Sequence, residues 1–212
     1  MKLLVATRSA GKQPEVRRLL TGSGLEPVFP DDLMLFEEPA EETLEQSDSF
    51  LTNARTKAEY FARRSGLPTL ADDSGLEVFY LLGAPGAQSR RWAGASGTAA
   101  EVDAANNAEL LRRLLGAAEA KRRARYRCVL VLIRSVGSMP EAFEGSCGGR
   151  ILEAPKGKNG FGYDPLFFSD ELGKTFGEAS EAEKDGVSHR GSAFRALAEA
   201  LGKKDWGLRT ED

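Results

Sequence analysis

Leu3-Leu4-Val5-Ala6-Thr7-Arg8-Ser9-Ala10-Gly11-Lys12 is the stretch on which the fold turns. A short apolar run, Leu3 to Ala6, passes into the turn-like Thr7 to Gly11, and Val16, Leu19 and Leu20 then recur at helical spacing. Strand, loop and helix in that order are the opening unit of an α/β protein. The loop is also a chemical candidate. Free backbone N–H groups at a helix N-terminus, with Lys12 beside them, suit a phosphate, although a plain turn has the same composition. It is not a Walker loop, because Gln13 stands where Ser or Thr follows the lysine.

Working outward, Phe50, Ala54, Ala58 and Phe61 recur at helical spacing until Gly66-Leu67-Pro68 stops them, and Asn53 and Lys57 lie one turn apart on a neighbouring face. The acidic, Pro-punctuated stretch from Pro30 to Ser49 has no clear period and reads mostly as loop. Thr69-Leu70-Ala71 reads as a buried strand ending at Asp72-Asp73-Ser74-Gly75, with a second apolar segment from Leu76 to Leu82. Thr98 and Glu101 form a capping-box pattern before a helix through Leu110, Leu111, Leu114 and Leu115. Tyr126 to Ser135 and Glu141 to Leu152 read as a long hairpin across Gly137-Ser138-Met139-Pro140. A last helix, Arg190 to Leu201, would bury Phe194, Leu197, Ala198 and Leu201. With no repeat or low-complexity linker, residues 1–212 are expected to form one α/β unit, bilobed, with an elongated mixed sheet flanked by helices and the active site in the cleft between lobes.

Composition narrows the partners. With 41% hydrophobic and 29% charged residues the chain can bury a core, and its net charge of −3 gives no general attraction for nucleic acid. A small anion, held by locally placed Lys and Arg, fits better. The longest purely apolar run, Cys128 to Ile133, is far short of the roughly 20 residues a membrane helix needs, so neither export nor insertion is expected. Cys128 and Cys147 have no partner at metal-ligand spacing, in keeping with a reducing cytoplasm. The basic run Lys121-Arg122-Arg123, with Arg125 and Arg127, suits a solvated strand edge.

Three further segments carry chemistry. Two acids after a buried strand, Asp72-Asp73, suggest a cation site, against the alternative of a solvated Asx turn. Neighbouring strand residues point to opposite faces, so one of the pair rather than both is the expected principal ligand. Gly160-Phe161-Gly162-Tyr163-Asp164-Pro165 sets aromatic rings and an acid between glycines, suited to stacking on a base, although a β-turn with two core aromatics has the same pattern. Lys184 with Ser188-His189-Arg190 contains the only histidine; its flanking cations suit an anion or a carbonyl oxygen. There is no Gly-x-Ser-x-Gly signature and no second histidine for a metal pair, which sets aside a serine hydrolase or zinc enzyme.

Taken in order, Ala6-Thr7…Gly11-Lys12, Asn53-Ala54…Lys57-Ala58, Ala71 to Leu76, Gly83-Ala84-Pro85-Gly86, Gly160 to Pro165 and Ser188-His189-Arg190-Gly191 resemble the inosine triphosphate pyrophosphatase family across nearly the whole chain. The resemblance implies a homodimer of α/β subunits that cleaves between the α- and β-phosphates of non-standard purine nucleotides such as ITP, dITP and XTP, with Mg²⁺ as cofactor. It places the phosphate loop at Thr7, Arg8, Ser9, Ala10, Gly11 and Lys12, a second phosphate lysine at Lys57, and a substrate contact at Ser74. It makes Asp73 the general base and a metal contact, with Asp72 in support. Glu45, five residues before Phe50 and twelve before Lys57, matches the metal glutamate, with Glu42 as its rival. Phe161, Gly162, Tyr163, Asp164, Lys184, His189 and Arg190 match the base-recognition segment. The chain departs from the family at Arg8-Ser9, where Gly-Asn is usual. The alternative of a Maf-type pyrophosphatase, which prefers pyrimidine or modified nucleotides, is opposed by the Phe161 to Asp164 and Ser188-His189-Arg190 segments. A nucleotide sensor without catalysis would not need Glu45, Asp73, Lys12 and Lys57 together.

Overall fold

In the computed structural model, which describes residues 1–202, the opening unit forms as expected. Strand β1 (Lys2–Val5) leads through the Thr7 loop into helix α1 (Lys12–Leu19) and returns as β2 (Glu26–Val28), parallel to β1. Helix α2 (Phe50–Ser65) starts at Ser49, whose hydroxyl accepts from the Thr52 amide, and ends at Gly66 in the left-handed region. Strand β3 (Thr69–Val78) runs parallel to β1 and antiparallel to β4 (Arg123–Ile133). Helix α3 (Ala99–Arg113) carries the Thr98–Glu101 capping box. Strand β5 (Glu141–Ile151) completes the long hairpin. The short strands β6 (Phe167–Ser169) and β7 (Lys174–Thr175) and helix α4 (Glu181–Val187), none of which the periodicity picks out, precede α5 (His189–Gly202). The result is a mixed seven-stranded sheet in the order β2-β1-β3-β4-β5-β6-β7, flanked by helices. Positions 203–212 lie outside the described residues.

Alternation along β3 and β4 sorts the core. Ala71, Val129, Val131 and Ile133 pack under Phe50, Ala54, Ala58 and Phe61 of α2. Leu70, Cys128, Leu130 and Leu132 face the other way, against Val16 of α1 and Ala193, Phe194 and Leu197 of α5. A third cluster, with Leu76, Val78, Tyr126, Leu110 and Phe176, fills the far end. Both faces of the central strands are buried, which accounts for the unbroken apolar run in β4.

Three sequence expectations are corrected. Asp72-Asp73-Ser74-Gly75 is not a turn: β4 pairs with every residue of β3 from Thr69 to Val78, and the ladder carries the strand through four poor β-formers. The basic run is not on a sheet edge, because β4 is central. Arg122 is buried and donates to the carbonyls of Leu114, Ile151 and Leu152, while Arg125 and Arg127 pair with Glu77 and Glu144 on the solvent side. Ala198 is exposed, and Ala193 takes its place in the buried stripe of α5.

Candidate active site

A gap in the sheet creates the site. β1 pairs with β3 only as far as Val5 opposite Leu70, and among the described residues that edge of β3 meets backbone again from Glu77 onward, at the isolated Glu77–Pro85 bridge and in the hydrogen bonds of Val78 with Gly83 and Ala84. Between these points the edge groups of β3 find side chains instead. The Asp72 carbonyl accepts from Lys57 Nζ at 2.6 Å, and the Leu76 amide donates to Ser89 Oγ at 2.9 Å. Gly75 admits this approach: a Cβ there would stand 2.2 Å from the Gly86 carbonyl oxygen. The gap opens into a cavity of about 720 Å³, within the range of nucleotide-sized pockets.

Since β3 continues through the acids, Asp72 and Asp73 point to opposite faces, as strand geometry demands. Asp73 faces α2. Its Oδ2 accepts from Asn53 Nδ2 at 2.9 Å, and Asn53 in turn holds the Ser47 backbone through both its amide atoms. Glu45 contacts Lys57 Nζ and keeps 37% of its side chain exposed. Burial pushes the Asp73 carboxyl up, Lys57 and Lys12 pull it down, and the net displacement is upward. Glu45 is held below its usual range, because Lys57 and Lys12 outweigh burial. Glu42 lines the same cavity but is exposed, and its carbonyl serves Gln46.

Asp72 faces α1 and α5. Its Oδ2 lies 2.9 Å from Lys12 Nζ and 3.3 Å from Arg190 Nη2. Burial opposes its charge, yet Lys12, Arg190 and Lys57 together hold it far below the usual carboxylate range. Arg190, 1% exposed, also pairs with Glu15 through Nη1 and donates to Ser74 Oγ at 2.9 Å. Its terminal nitrogens therefore tie α1, β3 and α5 together, leaving Nε without a hydrogen-bond partner among the described residues.

The Thr7–Lys12 loop forms one wall of the cavity. Gly11, which has no capping side chain, is the N-cap of α1, and a Cβ there would meet the Phe161 ring at 3.1 Å. The Gly160–Asp164 segment thus leans directly on the loop. Phe161 and Gly162 stay partly exposed in the cavity wall. Tyr163 is buried and donates its hydroxyl to the Ser89 carbonyl. The Asp164 carboxylate is engaged by Lys184 Nζ at 2.6 Å and by the Phe161 amide at 2.9 Å. The His189 ring stacks on Tyr126 with centroids 4.6 Å apart, and its Nδ1 is buried with no partner among the described residues. Burial, with Arg190 and Lys184 nearby, pushes its pKa well down, so the ring is neutral.

Apart from Asp72, which lies behind the strand, every residue the sequence reading proposed for the site lines this cavity. Sequence reasoning missed Glu15, Tyr126 and Asp103. Asp103 accepts from the Gly162 amide at 2.8 Å and from Arg90 at 3.2 Å, bracing the Phe161 segment from α3. It also gave Asn53 no role, although a polar residue one turn from Lys57 on a buried face was a usable signal.

An α/β sheet interrupted at a cleft, with lysines and carboxylates at one end and an aromatic wall at the other, describes the class of a nucleotide-phosphate hydrolase. The chain belongs to the Ham1 family, whose model matches residues 3–200. It is 46% identical over 200 residues to a dITP/XTP pyrophosphatase of Thermus thermophilus, covering 94% of this chain and 91% of that one. It is 44% identical over 202 residues to one of Halorhodospira halophila, covering 95% and 97%. Its fold matches a HAM1 protein from Coxiella burnetii with a TM-score of 0.83 at 33% identity, covering 96% of this chain and all of the other.

Proposed function

We propose that this protein hydrolyses non-standard purine nucleoside triphosphates, ITP, dITP and XTP, to the monophosphate and pyrophosphate. The observation that carries the reading is the division of the two adjacent acids. Asp73 alone faces the open side with a raised pKa, beside two lysines and Glu45, at the mouth of the phosphate loop. In this reading Lys12, Lys57 and the N-terminus of α1 hold the phosphates, and the two lysines neutralise the pyrophosphate as it leaves. Asp73 takes a proton from the attacking water, and Asn53 fixes its orientation.

The donor set fits Mg²⁺. Among the described residues no three His, Cys, Asp or Glu side chains gather to hold an ion unaided. Mg²⁺, however, takes oxygen ligands and is commonly bound by one or two carboxylates together with substrate phosphates. Glu45 and Asp73 supply that pair. When bound, the ion would offset charge on the phosphate oxygens.

At the other end, Phe161 stands in the wall beside the base, and neutral His189 with backbone amides offers donors toward a C6 carbonyl oxygen, while Arg190, which the sequence reading set beside His189 in that role, has its terminal nitrogens committed to Glu15, Asp72 and Ser74. Adenine would set its amine against those donors, a mismatch that such sites reject by factors approaching ~10⁴. Among the described residues no helix is long and apolar enough to cross a membrane. A cytoplasmic homodimer is the accompanying proposal. Pyrophosphate release from ITP, XTP, GTP, ATP and TTP, with and without Mg²⁺, tests the reading. ITP and XTP should stand well above GTP, with ATP and TTP lowest. Equal kcat/KM for ITP and ATP would remove the base-recognition assignment, and release of orthophosphate in place of pyrophosphate would remove the reaction.

A further inference from the structure

Arg8, in the loop between β1 and α1, turns its guanidinium away from that loop and toward the acidic segment. Its Nε and Nη2 grip Glu41 bidentately at 2.7 and 2.9 Å, Nη2 also donates to the Leu35 carbonyl at 2.7 Å, and Nη1 to Asp31 at 2.6 Å. These are four contacts from a group with five N–H donors, so at most one is left for a phosphate. Arg64, in the last turn of α2, reaches the same carboxylate at 3.0 Å and donates to the Phe36 carbonyl. Glu41 keeps only 9% of its side chain exposed between them. Burial opposes its charge, but Arg8 and Arg64 hold its pKa below the usual value.

The place of this clasp gives it meaning. Residues 30–49 contain only two short 3₁₀ helices among the described elements, Asp31–Leu33 and Pro39–Thr43, so tertiary contacts must fix their course. Glu41 lies in the second of them, whose last hydrogen bond runs from the Leu44 amide to the Glu41 carbonyl. The next residue is Glu45. We propose that Arg8 is a positioning residue: through Glu41 it binds the acidic segment to the phosphate loop and sets where Glu45 stands relative to Lys57 and Asp73. This rests on the reading of Glu45 as the carboxylate that shares the metal ion.

The test uses full-length wild type, Arg8→Ala, Glu41→Ala and the double variant, with two readouts. The first is hydrogen exchange of the amides of residues 36–47 in metal-free, nucleotide-free protein, with β3 as the internal control for folding. The second is the Mg²⁺ concentration at half-maximal rate, alongside KM for ITP. Each single variant should speed exchange in that segment about tenfold, leave β3 unchanged and raise the Mg²⁺ requirement by a similar factor, with KM changing by no more than about threefold. The double variant should be affected by clearly less than the sum of the two single variants, because the Arg8–Glu41 pair is already lost in each, while Asp31 and Leu35 are partners of Arg8 alone and Arg64 of Glu41 alone. Arg8→Lys keeps the charge without the fork and should fall between, which also serves if Arg8→Ala does not fold. Unchanged exchange in Arg8→Ala, additive effects in the double variant, or a raised KM at an unchanged Mg²⁺ requirement would overturn the proposal, the last making Arg8 a direct phosphate contact. Failure of wild type to hydrolyse ITP would count against the functional reading alone, since the exchange result decides the clasp in either case.

Discussion

The two faces of β3 at its gap receive the same residue type at consecutive positions and treat it in opposite ways. Toward α1 and α5, Asp72 is sealed among Lys12, Arg190 and Ser74, and the two cations outweigh burial and hold its pKa far below the usual carboxylate range. Toward α2, burial raises the pKa of Asp73, and its neighbouring lysine, already shared with Glu45 and the Asp72 carbonyl, does not bring it back. The difference lies in which face of the strand each acid occupies, and the proposed division of labour between them rests on it. A carboxylate with surplus cations is a structural anchor, whereas one whose nearest cation is divided among other acids is left able to exchange a proton.

The comparison can be broken most sharply by exchanging the acids for amides one at a time. Asp73→Asn should lower kcat for ITP by roughly 10²-fold or more while the protein unfolds at the wild-type denaturant concentration or above it. Near-normal turnover would take Asp73 out of the chemistry. Glu45→Gln should raise the Mg²⁺ needed for half-maximal activity on the order of tenfold, and Glu42→Gln should leave it close to wild type. A titration giving the reverse order would move the metal carboxylate to Glu42.

Asp72→Asn should act chiefly on stability, costing about 3 kcal/mol at neutral pH, because Arg190 and Lys12 lose a buried counter-charge. Urea unfolding across pH supplies the sign. Asp72 has a folded pKa below its unfolded value of about 4, so its contribution is present above that pH and is lost as pH falls further. The deficit of the variant should therefore shrink only in acid. Asp73 runs the other way. Its raised folded pKa favours the protonated form, so stability declines as pH rises through that window, and Asp73→Asn should not be destabilised at neutral pH. A stability loss in Asp73→Asn matching that of Asp72→Asn would erase the distinction between the faces.

How much of this was legible in the sequence depended on whether the signal was local. The helix over Phe50 to Ser65, the Thr98 cap and the β4–β5 hairpin are written in spacing and turn residues, and they formed as read. The adjacent acids do face apart, as expected, although the strand does not end where the sequence suggests. Asp, Ser and Gly disfavour a strand locally, and only the ten-residue ladder with β4, together with Lys57 and Ser89 on the open edge, reverses that preference. The inner ion-pair node was not legible at all. Glu15 and Arg190 are 175 positions apart, and nothing near either one marks it as buried. Arg8 was visible as a departure, but its partners lie in a segment without periodicity.

The pH dependence of kcat/KM for ITP separates the two acids, since Asp73 is assigned as the proton acceptor and Asp72 is not. Activity should fall in acid along a single limb whose apparent pKa lies above the ordinary carboxylate value of about 4, because the base must be ionised and burial raises its pKa. The residual activity of Asp73→Asn should lose that limb. A limb at or below the ordinary value, or one that persists unchanged in Asp73→Asn, would contradict the account.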